Sequence, residues 1–219
     1  VLVIRADNNK DRWIARLNAE TGDLTVLDRQ QDDAWIGGPG ISAYGGPGTV
    51  GWMPDGEAFY FQSEETGYSH LYTVDVTSGE TTALTGGTFE VFEPRLSRDG
   101  ETWTFQSSEP SPYERHMYVM DADGDNRTRL TEMAGTFTAA PSPGDQIAMI
   151  YENVNRPPEV YVQPRAKGAD AERVTTSTSD AWNAYEWREP DVITFEASDG
   201  VDVPANLYEP EQPNGAAVM

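Results

Sequence analysis

Met53-Pro54-Asp55-Gly56-Glu57-Ala58-Phe59-Tyr60-Phe61-Gln62-Ser63 and Ser97-Arg98-Asp99-Gly100-Glu101-Thr102-Trp103-Thr104-Phe105-Gln106-Ser107 are one phrase written twice, 44 residues apart. Each copy has an Asp-Gly turn, an alternating run rich in aromatics, and a Phe-Gln-Ser ending. A looser third copy, Ser142-Pro143-Gly144-Asp145 followed by Gln146-Ile147-Ala148-Met149-Ile150-Tyr151-Glu152, begins 45 residues later. Other landmarks keep step: Tyr72, Tyr118 and Tyr161; Leu84, Leu130 and Val174; His70 and His116. Upstream, Trp13 to Asp28 matches His70 to Thr85 at a spacing of 57, and the extra residues fall in the Gly/Pro-rich stretch between Asp28 and Thr49.

Within one unit the pattern predicts four short strands. A turn precedes a period-two run (Ala58 to Gln62), a polar loop leads to a second run (His70 to Val76), and a Ser78-Gly79 turn leads to a last strand (Thr81 to Leu84). No segment sustains a helical period. Four antiparallel strands in a repeat of roughly 40–50 residues is the pattern of a β-propeller blade. The predicted class is all-β: a partial β-propeller of about four blades, at 1–28 (partial), 48–86, 90–132 and 136–176. A blade cannot bury both of its faces alone, so blades stack and the aromatics fill the gaps between them.

The tail changes character. Val192-Ile193-Thr194-Phe195-Glu196-Ala197, the turn Ser198-Asp199-Gly200 and the run Val201 to Pro210 read as a hairpin, and the chain closes on the apolar Ala216-Ala217-Val218-Met219. The expected division is 1–180 as blades from the C-terminal part of a larger ring, and 181–219 as a linker and the start of a second, truncated domain. The chain reads as a piece of a longer protein.

Composition narrows the function. At 37% hydrophobic with 6 Trp, 10 Tyr and 7 Phe, the 219 residues can bury a core. No apolar run is long enough to span a bilayer, and no signal peptide is legible, although trimming would hide one. The absence of cysteine removes disulfides, thiol nucleophiles and thiolate-held metals. Against 37 carboxylates stand 15 basic residues, a net −22, and only Lys10 and Lys167 are lysines. Such a surface repels nucleic acid. Acidity with lysine depletion suits high salt, where self-repulsion is screened.

The motifs resemble a known family. Gln62-Ser63-Glu64-Glu65-Thr66-Gly67-Tyr68-Ser69-His70-Leu71-Tyr72, followed by Leu84-Thr85-Gly86-Gly87-Thr88-Phe89-Glu90-Val91, is similar to the blade signature of the prolyl oligopeptidase clan, in its dipeptidyl-peptidase-IV-like branch. Ser111-Pro112-Tyr113-Glu114-Arg115-His116-Met117-Tyr118 resembles the next blade, and Trp13-Ile14-Ala15-Arg16-Leu17-Asn18 an upstream strand. The hairpin from Val192 to Pro210 is similar to the segment that opens the clan's α/β-hydrolase domain. The resemblance implies a serine exopeptidase whose propeller covers the active site, admits small peptides and helps fix the substrate's N-terminus. The catalytic hydrolase domain would lie in cis, with Ser, Asp and His beyond Met219, and no catalytic residue is carried here. The nearest approach to a G-x-S-x-G elbow, Gly40-Ile41-Ser42-Ala43-Tyr44, lacks the last glycine.

Several residues invite a role and are weighed against structural readings. His70 and His116 recur with the repeat, which favours structure over proton transfer or metal binding. Glu64 and Glu65 resemble the acidic pair that holds a substrate's amino group in dipeptidyl peptidases, but they occupy a strand-to-strand turn at a different family position; paired carboxylates do bind ammonium well. Asp121, Asp123 and Asp125, with Glu132 at the twelfth place, superficially fit a calcium loop, yet Asn126 stands where that motif wants Gly, and a plain turn is favoured. Arg156-Pro157-Pro158-Glu159 reads as an extended loop between strands. No cofactor or metal is expected.

The leading expectation is the substrate-gating propeller of a serine peptidase that takes peptide substrates, with homodimerisation through open blade faces and a periplasmic or secreted setting favoured over a cytoplasmic one. The alternative is a non-enzymatic TolB-type or WD-repeat-like binding propeller, which has no need of the Val192–Pro210 hairpin. A carbohydrate-active propeller would need inward carboxylates at a fixed separation.

Overall fold

The computed structural model describes residues 1–41, 48–139, 144–212 and 214–215. Ser42, the Ser142-Pro143 start of the third repeat and the closing run 216–219 lie outside them. Four antiparallel sheets follow one another along the chain, each in sequential order without a crossover. The first holds β1 (Leu2–Arg5), β2 (Asp11–Leu17) and β3 (Leu24–Gln31). The second holds β4 (Val50–Trp52), β5 (Ala58–Ser63), β6 (His70–Asp75) and β7 (Thr81–Ala83). The third holds β8 (Val91–Leu96), β9 (Thr102–Ser107), β10 (His116–Asp121) and β11 (Thr128–Arg129). The fourth holds β12 (Thr136–Ala139), β13 (Gln146–Asn153), β14 (Arg156–Pro164) and β15 (Glu172–Arg173). A short helix, α1 (Asp180–Ala184), capped by the Ser179 hydroxyl, leads to a separate hairpin of β16 (Asp191–Glu196) and β17 (Asp202–Leu207). The sheets are the blades of a partial propeller.

Stacking explains the alternation of buried and outward side chains along the inner strands, plainest in β13 and β14. Ile14 and Leu27 of the first sheet pack on Phe59, Phe61, Tyr72 and Val74 of the second. The second sheet's other face sends Leu71 and Leu84 against Val91, Trp103, Phe105 and Met120. Met117 and Leu130 then meet Phe137, Ile147, Met149 and Tyr161 of the fourth. Three cores thus lie between four sheets, each fed by side chains two residues apart. Stacked pairs recur with the repeat: Phe61 on Tyr72 at 5.7 Å and Phe105 on Tyr118 at 5.5 Å.

The histidines are part of this frame. Each begins the third strand of its sheet and is buried, at 0% and 1% exposure. The His70 ring bonds Thr85 Oγ1 at 3.1 Å and the Gly87 carbonyl at 3.0 Å. His116 repeats the clasp on Thr131 Oγ1 at 3.0 Å and reaches Glu114 at 2.8 Å. Each threonine hydroxyl also accepts a backbone N–H, from Leu71 or Met117, so the ring ties the fourth strand to the third.

Two sequence expectations need correction. The third repeat, aligned through Ser142-Pro143, is one residue out of register. Met149 stands opposite Tyr161 as Phe61 stands opposite Tyr72, so Gly144, not Asp145, is the counterpart of Gly56 and Gly100. The slip matters because strand side chains alternate: Ile147, Met149 and Tyr151 are buried, whereas Ala148 and Ile150 face out. All three glycines share a left-handed backbone, with φ of 72°, 79° and 89°, which explains why glycine holds the position. The second correction concerns Arg156-Pro157-Pro158-Glu159, which opens β14 and is not a loop. A register shift between Tyr151 and Asn153 admits the prolines there, where ladder donors are dispensable.

Candidate functional site

The first and second sheets meet at a cleft of about 420 Å³. Its floor is the β5–β6 turn with Ser63, Glu64 and Glu65; its wall is the segment after β3, with Asp32, Trp35 and Gly37. Local chemistry builds the wall. The Asp32 carboxylate accepts the N–H groups of Ala34 at 2.7 Å and Trp35 at 2.9 Å, and these bonds hold its pKa below the usual range. The turn they close presents the Trp35 ring at 55% exposure. Gly38 completes it: its φ is +102°, and a Cβ there would lie 1.8 Å from Glu64 Oε1, so only glycine lets the carboxylate sit against this backbone.

Electrostatics single out Glu64. Burial raises its pKa above 4.5, and Glu90 and Asp32 push the same way. Glu90 is itself fixed by accepting the Ser69 N–H at 2.6 Å. Glu65 is exposed and acts elsewhere, on Asp28 and Tyr72, both of which it helps push up. The two glutamates therefore line one cleft without converging on one point. Beneath them Arg12 is 1% exposed. Its Nη1 donates to the Gln62 carbonyl at 2.8 Å and to Gln30 Oε1 at 3.2 Å. Burial, with Arg5 nearby, pulls this guanidinium down to about 10, against the opposing charge of Asp28.

What this arrangement can do is hold a cation. A carboxylate short of favourable partners, a second acid near it and an open indole face suit an ammonium group. The residues singled out as a calcium loop do different work. Asn126 donates to the Asp121 carboxylate at 2.6 Å and the Asp125 N–H to Asp123 Oδ1 at 3.0 Å, so these acids hold their own turn. Asn126 takes a left-handed φ of 54° there. Among the described residues, no group of three or more His, Asp or Glu side chains is arranged to hold a metal ion. Sequence reasoning found Glu64 and Glu65 but missed Asp32, Trp35, Gly38 and Glu90. The available signal was an Asp-Asp-Ala-Trp step inside the Gly/Pro-rich connection, where function tends to sit.

Residues 2–158 match the family described as the dipeptidyl peptidase IV (DPP IV) N-terminal region. The chain belongs to that family. The fold agrees: the crystal structure of Porphyromonas gingivalis dipeptidyl peptidase 4 superposes with a TM-score of 0.72 at 20% identity, over 93% of this chain and 28% of that one. An uncharacterized protein of Agrobacterium fabrum is 31% identical over 117 residues, 52% of this chain and 38% of its own length. The chain thus spans well under half of each of these proteins. Within the DPP IV N-terminal family, the matched segment takes in the first three sheets and most of the fourth, and with them the whole cleft.

Proposed function

We propose that this chain is the substrate-gating propeller portion of a serine exopeptidase of the dipeptidyl-peptidase/prolyl oligopeptidase type, acting on peptides. The observation that carries the reading is the family match over residues 2–158, running collinearly into an unsupported hairpin. β16 and β17 form a two-stranded sheet with Val192, Phe195 and Val201 more than half exposed. Two strands alone are marginal in water, so the hairpin calls for a partner, and a hydrolase domain in cis supplies one. A scaffold propeller has no use for it.

In this reading the Glu64 cleft takes the substrate's amino group, with Trp35 against the first side chain. Binding requires ionised Glu64, whose pKa lies above 4.5. Affinity for a dipeptide with a free amine is therefore expected to rise with pH through that raised value and level off near neutrality. Calorimetry with Ala-Pro and N-acetyl-Ala-Pro tests this. Glu64→Gln should weaken the free amine by about tenfold and leave the acetylated peptide unchanged; equal affinity for both peptides in the native chain contradicts an amine site.

Two further readings belong to the same proposal. The outer faces of the first and fourth sheets expose Leu2, Ile4 and Val26, and Ile150, at 38–57%. Such faces favour self-association of the isolated chain, including a homodimer. Light scattering should report species above 24.1 kDa that Ile150→Glu reduces, and a monomer at high concentration speaks against it. The charge of −22 with two lysines fits life in high salt. Thermal stability should then rise by several degrees from low salt to about 1 M NaCl, as screening relieves repulsion; a flat profile contradicts this.

A further inference from the structure

Glu65 has a counterpart one blade on. The β5–β6 and β9–β10 turns begin alike: the Glu65 N–H donates to Ser63 Oγ at 3.2 Å, and the Glu109 N–H to Ser107 Oγ at 3.1 Å. Ser63 stands opposite His70 as Ser107 stands opposite His116, so Glu65 and Glu109 hold the same place in their blades. Their neighbours agree, because Glu65 lies by Tyr72 and Glu109 by Tyr118.

What differs is the cation. Glu109 holds a guanidinium: Arg127 Nη2 donates to its Oε1 at 2.7 Å. The same guanidinium lies 5.0 Å from the centre of the Phe89 ring, which belongs to the connection entering the third sheet. One acid and one ring thus share an arginine. In the second blade, the stretch from Val76 to Ala83 that matches the Arg127 turn contains no basic residue. Among the described residues, no Lys, Arg or His forms an ion pair with Glu64 or Glu65. Arg29 is the one basic residue in the lining of their cleft, and Asp11 holds it through Nε at 3.1 Å and Nη2 at 2.7 Å. The ring, however, is in place. Trp35, from the connection entering the second sheet, lines the same cleft and is open to solvent.

We propose that the Glu65 side of this cleft takes the guanidinium of an arginine at the first position of a peptide, held against Trp35 as Arg127 is held between Glu109 and Phe89. The inference rests on the reading of Glu64 as the anchor of the amino group, and it adds the class of the first residue. Two glutamates that diverge suit two separate positive charges on one residue. Asp32, Glu64 and Glu65 together give the recess a surplus of negative charge, which a singly charged peptide leaves unmatched. A planar guanidinium fits a carboxylate with two hydrogen bonds and stacks on an indole, and an ammonium does neither.

The test is calorimetry on the chain at low salt with Arg-Pro, citrulline-Pro (its neutral isostere) and Ala-Pro. Arg-Pro is expected to bind about tenfold more tightly than citrulline-Pro. Glu65→Gln should abolish that preference and leave the affinity for Ala-Pro and the melting curve unchanged, because Glu65 is exposed. Glu80→Gln removes an exposed charge from the β6–β7 turn, at the other end of β6, and should leave the preference intact. Equal binding of Arg-Pro and citrulline-Pro overturns the site. So does a preference that survives in Glu65→Gln, and so does one lost equally in Glu80→Gln, which would reflect the charge of the whole chain. The N-acetylated pair keeps the two readings apart. If acetylation does not weaken Ala-Pro, the amine anchor fails, whereas N-acetyl-Arg-Pro binding more tightly than N-acetyl-citrulline-Pro still upholds the guanidinium site at Glu65.

Discussion

Trp103→Ala is expected to destabilise the chain by about 3–5 kcal/mol, the usual loss when a large buried aromatic is truncated. Trp103 is 0% exposed and sits at the centre of the second-to-third-sheet core. The Tyr60 ring meets it edge-on at 4.9 Å, and its Nε1 donates to the Ala122 carbonyl at 3.2 Å. Alanine would open a cavity between two sheets held together by that packing, and would orphan a carbonyl. Urea unfolding is the measurement; a midpoint shift equivalent to less than about 1 kcal/mol would mean that this interface does not carry the stacking. Trp103→Phe, which restores the residue type of the equivalent Phe59, should recover more than half of the loss.

Glu159→Gln is the second large effect, and it depends on pH. The carboxylate is 2% exposed. It accepts the Ser177 N–H at 2.5 Å, the Ser177 hydroxyl at 2.8 Å, Arg173 Nη2 at 2.7 Å and the Thr175 hydroxyl. These donors, with the Ser177 N–H foremost, hold its pKa at about 2 against an ordinary 4.5. They fasten the chain after β15 back onto β14. A pKa depressed by folding stabilises the fold above the unfolded value, and the benefit is lost as pH falls from about 4.5 through about 2. At neutral pH the amide variant should therefore melt about 5 °C lower. The gap should close as pH drops through that window, because protonation removes the same charge from the native chain. A gap that stays constant down to pH 2 would show that Glu159 acts through shape alone.

The blades were legible because their signal repeats. Asp-Gly turns, Phe-Gln-Ser endings and period-two aromatics placed β5, β6, β9 and β10 within a residue or two of their ends. The third copy slipped where the repeat weakens: Ser142-Pro143 imitates Met53-Pro54, and matching the prolines overrode the glycine whose backbone conformation fixes the register. Pro157-Pro158 looked like a breaker, because a sequence does not announce a bulge that relieves a strand of its donors. The cleft was half legible. Glu64 and Glu65 stand together in a turn, but Asp32, Trp35, Gly38 and Glu90 reach them from other segments, and tertiary convergence has no local signature. Arg12 did carry one. It shares a strand face with Ile14, two residues on, and period two places both inward.

The central claim is that this propeller serves a serine peptidase, and reading the gene's frame on the 3′ side of the Met219 codon tests it most directly. The account predicts a G-x-S-x-G elbow followed by Asp and then His within a hydrolase-sized stretch. A stop codon, or further blades without that elbow, would contradict it and leave a propeller that binds without cleaving.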